Sequence, residues 1–121
     1  MNKICTDIKQ SQRLIELGID INTADMYYQW YSETASALHV GKGSKKLNAD
    51  CPAWSLSALM KLMPDEISID NETYYLYFTK KCAEFRGPIT WDGQKTKSFK
   101  MDNILDSAFE MICWFLENKK L

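Results

Sequence analysis

An α+β fold, a small antiparallel sheet with about three helices packed on it, is predicted by three features of the 121-residue sequence. Apolar residues recur at helical spacing near the start, in the middle and at the end. Between those stretches lie aromatic-rich runs with strand propensity. The resulting order of helix, hairpin, helix, strands, helix favours neighbouring strands that pair antiparallel, with the helices laid on the sheet.

Taken in order, Thr6 reads as an N-cap and Ile4, Ile8, Ser11 and Ile15 fall at helical spacing, so a helix is expected from about Asp7 to Leu17. Gly18 supplies the left-handed residue that stops it. Met26 to Tyr31 is an aromatic strand that can return through Ser32 to Ala35 as Ser36 to Val40, giving a first hairpin. Gly41 to Lys46 has nothing to bury and reads as an exposed loop. Ser55 can cap a short helix with Leu56, Leu59, Met60 and Met63 on its apolar stripe, and Pro64 ends it.

Thr73 to Thr79 is the strongest strand, and its lack of clean alternation predicts a central strand covered at least partly on both faces. Lys80-Lys81 can turn it into Cys82 to Phe85. Asp92-Gly93 is a hairpin signal between Ile89 to Trp91 and Gln94 to Phe99, with Gly87-Pro88 interrupting the pattern. The last helix is expected from about Asp102 to Asn118, with Ile104, Leu105, Ala108, Met111, Ile112 and Phe115 on one apolar face. Asp102, Asp106, Glu110 and Glu117 run down the opposite side, and Trp114 falls among them.

With 45% apolar and 26% charged residues the composition is that of a folding chain, and its length suits one domain spanning residues 1–121. Fifteen basic residues against sixteen acidic ones leave no overall field to gather nucleic acid or anionic lipid. The start lacks the apolar run of a secretory signal, and no stretch is long and apolar enough to span a membrane, so a cytoplasmic location is expected. Cys5, Cys51, Cys82 and Cys113 form no CxxC pair, and His39 is the one histidine, a pattern that argues for buried thiols over zinc or disulfides. No cofactor is expected.

Gly41-Lys42-Gly43-Ser44-Lys45 lacks the order of a phosphate-binding loop. His39 has no carboxylate or cysteine at motif spacing from which to assemble a nucleophile and a base, so an enzyme is not expected. Two binding surfaces remain. One is Trp114 with Asp106, Glu110 and Glu117, since tryptophan on a charged stripe is a typical interface anchor. The other is a basic patch of Lys42, Lys45, Lys46, Lys95 and Lys97, interleaved with Trp91 and Phe99, which would hold a nucleic-acid strand by phosphate contacts and stacking.

The segments Cys5-Thr6-Asp7-Ile8, Leu14 to Asp20, Pro52-Ala53-Trp54-Ser55-Leu56-Ser57-Ala58-Leu59 and Ala108 to Asn118 resemble a group of short proteins of Bacteroides-type gut bacteria and their prophages. The likeness covers the three helices. The group has no assigned activity, so the resemblance implies a bacterial or phage setting and carries over no site residue. The combined expectation is a non-enzymatic accessory protein of a prophage or mobile element that binds another protein, with nucleic-acid binding as the alternative.

Overall fold

Helix boundaries in the chain are set by side chains that reach back to unpaired backbone groups. In the computed structural model, which describes residues 4–30, 36–40, 51–80 and 82–119, α1 spans Ile8–Glu16 and is capped by Asp7. Asp7 and Gln10 satisfy each other's backbone N–H in a capping box, at 2.8 and 3.0 Å. Thr6, the cap expected from sequence, is buried one position earlier, where its hydroxyl meets Ser11 Oγ at 2.8 Å and accepts from Trp54 N at 3.0 Å. Gly18 stops the helix at φ +94° as its sequence position suggested.

The strands are β1 (Met26–Trp30), β2 (Ser36–Val40), β3 (Cys51–Ala53), β4 (Glu66–Ile69), β5 (Glu72–Phe78), β6 (Cys82–Thr90) and β7 (Gly93–Lys100). The helices α2 (Leu56–Leu62) and α3 (Ile104–Lys119) complete the order. The α+β class is as expected from the sequence, but the strands divide into two antiparallel sheets, of order β2-β1-β3 and β4-β5-β6-β7. β3 contains Pro52, which strand patterning discounts, yet as an edge strand it needs only one set of ladder bonds. β4 joins β5 through Asp70-Asn71, both at positive φ (51° and 68°), as a two-residue hairpin turn requires.

β5 is not covered on both faces. Its even positions point to the core, with Tyr74 buried and Leu76 and Phe78 packed against the cluster, while Tyr75 and Tyr77 are exposed. The aromatic crowding that blurred the alternation comes from tyrosines, whose hydroxyls tolerate a wet face.

One core cluster joins the elements: Leu14 of α1, Trp54 and Leu59 around α2, Ile67, Tyr74, Ala83 and Phe85 of the four-stranded sheet, and the length of α3. Asn103 opens α3 by accepting from Asp106 N at 2.8 Å. Leu105, Ser107, Ala108, Phe109, Met111, Ile112, Cys113 and Phe115 are all buried, and among the described side chains of the helix Glu110, Glu117 and Asn118 are the exposed ones. The sheet covers one side of the helix and α2 another. From α1, Gln10 Nε2 donates to Asp106 at 2.9 Å and Arg13 pairs with Glu117. Trp54 ties the first sheet to this core, since its backbone exchanges bonds with Thr6 and its indole N–H donates to Thr23 Oγ1 at 2.9 Å.

β6 runs unbroken through Gly87-Pro88 because a register shift between Arg86 and Ile89 absorbs the interruption. Gly87 is needed there for space: a Cβ would lie 2.5 Å from the Tyr74 ring. Gly87→Ala is therefore expected to cost about 1–3 kcal/mol, read from urea unfolding, and to cost little in a Tyr74→Ala background where the ring is gone.

Candidate protein-docking surface

The inner face of the four-stranded sheet is occupied by α3, so its outer face and its hairpin tip are what the fold presents. On the outer face Tyr75 lies opposite Arg86, and Tyr77 opposite Glu84, in the β5–β6 register. Tyr75 is 52% and Tyr77 44% exposed. The Arg86 guanidinium sits 4.4 Å over the Tyr77 ring and is held by Glu84 Oε1 at 2.6 Å, while Ser98 Oγ donates to Glu84 Oε2 at 3.2 Å. The result is an ordered row of two phenols, one guanidinium and one carboxylate on a rigid sheet.

The β6–β7 turn extends beyond that face. Thr90 pairs with Gly93, so the two turn residues are Trp91 and Asp92, one position earlier than the Asp92-Gly93 signal suggested. That shift puts Trp91 at the apex, 98% exposed, with Ile89 beside it at 81%. The Thr90 hydroxyl donates to the Asp92 carboxylate and holds it below its ordinary pKa, which ties the turn to the end of β6. An indole this far out of a packed chain leaves roughly 200 Å² of mostly apolar surface in water.

The stripe expected on α3 is placed differently. Trp114 is half-buried, its ring centroid 5.8 Å from Phe99 and 6.3 Å from Phe85, with Lys97 Nζ 5.4 Å over its face. The helical wheel set it among carboxylates, but β6 and β7 curl far enough round α3 to cover it. Asp106 takes the hydrogen bond from Gln10 and another from Asn103 Nδ2 at 2.9 Å, and Glu117 is paired with Arg13, so both acids serve the α1–α3 seam. Glu110 is exposed.

Of the alternative basic patch, Lys42, Lys45 and Lys46 lie outside the described residues. Lys95 Nζ is 2.9 Å from Glu72 and Lys97 caps the Trp114 and Phe99 rings, so these two face the inner side of the sheet. His39 is in β2 opposite Tyr27, and its side chain also lies outside what is described. Among the described residues no three His, Cys, Asp or Glu side chains gather as a metal site, and no helix is long and apolar enough to cross a membrane. A shallow cavity of about 390 Å³ is lined there by Asp7, Ile8, Lys9 and Tyr28, but the Tyr28 hydroxyl already donates to Thr6 O at 3.0 Å.

The cysteines divide by burial. Cys5 and Cys113 are buried, whereas Cys51 and Cys82 are partly accessible. Burial, reinforced by Glu110, raises the Cys113 thiol from 9.0 to about 12.

Compared with protein-family models, with curated proteins and with solved structures, the chain matches none.

These placements separate the two tryptophans. Trp114→Ala is expected to lower stability by about 2–4 kcal/mol, and Trp91→Ala to leave it within about 0.5 kcal/mol, both measured by urea unfolding. The Cys113 thiol remains protonated in the fold above the pH at which an unfolded cysteine ionises. Its contribution to stability is thus complete below pH 9.0 and is lost as pH rises toward about 12. Unfolding midpoints from pH 8 upward should fall less steeply in Cys113→Ala than in the wild type.

Proposed function

We propose that this is a non-enzymatic binding protein whose partner is another protein, docked on the β6–β7 tip and the adjoining outer face of the four-stranded sheet. The observation that carries the reading is Trp91, 98% exposed at the apex of a two-residue turn. Tryptophan, tyrosine and arginine are the residue types that dominate interface energetics, and here all three stand on one rigid hairpin and its neighbouring strand.

The setting we infer is the bacterial cytoplasm, with the protein serving as an accessory factor of a prophage or mobile element. This part rests on the sequence resemblance of the three helices. Nucleic-acid binding draws less support. Lys95 and Lys97 are committed to Glu72 and to aromatic rings, and the outer face balances Arg86 against Glu84.

Affinity capture from nuclease-treated bacterial lysate tests the reading, with wild type, Trp91→Ala and Trp114→Phe compared side by side. A protein retained by wild type and by Trp114→Phe, and depleted at least about tenfold by Trp91→Ala, is the expected result. Equal capture by all three, or capture abolished by nuclease, overturns it.

A further inference from the structure

We propose that the outer edge of β7 is a docking edge for an extended acidic peptide segment, which adds to the four-stranded sheet as a fifth strand; this deepens the reading that the partner is a protein. β7 ends the sheet, and among the described residues no strand pairs with its far side. An edge strand presents a row of backbone N–H and C=O groups to any chain that can extend along it. At eight residues β7 is twice the length of β4, the strand at the opposite edge. It contains no proline, and its pairing with β6 is regular from Thr96 to Lys100.

The strand is also braced before any partner arrives. Phe99 packs on Trp114 of α3 at 5.8 Å between centroids, so little ordering remains to be done when a strand is added.

Charge chooses the occupant. Between Gly93 and Lys100 the chain has Lys95, Lys97 and Lys100 and no acidic residue; Lys95 is paired with Glu72, so Lys97 and Lys100 are the charges the edge offers a partner. A second copy pairing edge to edge would set lysine near lysine, which is the means by which natural sheets refuse self-association. A strand bearing glutamates at alternate positions carries them all on one face, and with that face outward they meet Lys100. Lys100 is exposed on the outer face, and Lys97 is held over the Trp114 ring with its charge only partly covered. A strand added antiparallel to β7 finishes beside Gly93, next to the turn that carries Trp91.

Fluorescence polarisation with the full chain and labelled synthetic peptides tests this. The probe alternates glutamate and valine and ends in leucine; its counterpart carries lysine in place of glutamate. Two further acidic peptides are N-methylated on alternate amides, one in each phase. The acidic probe should bind at least about tenfold more tightly than the basic one. One methylated phase should lose binding while the other keeps it, because only one edge of the peptide faces β7. Lys100→Glu, with its fold verified by circular dichroism, should weaken the acidic probe. No binding of the acidic probe up to about millimolar concentration, or equal binding by both methylated phases, overturns the proposal. If the probe fails while Trp91-dependent capture persists, strand addition is wrong and the docking reading stands. If the probe binds while capture is indifferent to Trp91, the docking reading falls alone.

Discussion

Burial of α3 around most of its circumference is the constraint on which the rest of the chain depends. A helix with Leu105, Ala108, Met111, Ile112 and Phe115 on one side, and Phe109, Cys113 and Trp114 continuing round it, cannot be satisfied by one neighbour. The sheet, α2 and α1 each take a sector, and the polar groups at the margins become seams: Gln10 to Asp106, Arg13 to Glu117 and Lys97 over Trp114. Because this sheet spends its inner face on α3, its outer face and its rim are the parts of it that stay exposed.

That division explains why the candidate surface is on β5, β6 and β7 instead of on the helix. Trp114 and Trp91 are the same residue type in two opposite roles. The first is enclosed by Phe85, Phe99 and the Lys97 side chain, and it contributes to folding. The second meets almost nothing, and the short turn that displays it is anchored by Thr90 and Asp92.

Much of the fold was legible in the sequence, because helix stops and caps act locally. Gly18, Ser55 and the Asp92-Gly93 signal each marked a boundary within a residue or so, and the apolar face of α3 was plain. The errors arose where distant residues decide. Thr6 looks like a cap until Trp54, far along the chain, takes its hydroxyl into the core. The Tyr75 and Tyr77 side chains read as buried in a run of aromatics, and only the pairing of β5 with β4 and β6 fixes which face is wet. Asp70-Asn71 was a usable turn signal, since these residue types tolerate positive φ, but it was hidden beside the stronger aromatic run. For the binding surface, Trp91 next to a turn dipeptide was the available clue, outweighed by a helical wheel that cannot register how far a sheet wraps round a helix.

The one-residue shift of the β6–β7 turn has a consequence for how this protein can change. A side chain at an apex that the core never touches is judged by selection only through what it meets outside. Trp91 and Ile89 can therefore be exchanged for other residues with little penalty to folding, while Phe85 and Tyr74, buried in the same sheet, cannot. The fold thus keeps apart the residues that hold the scaffold and the rim residues that it leaves free to vary.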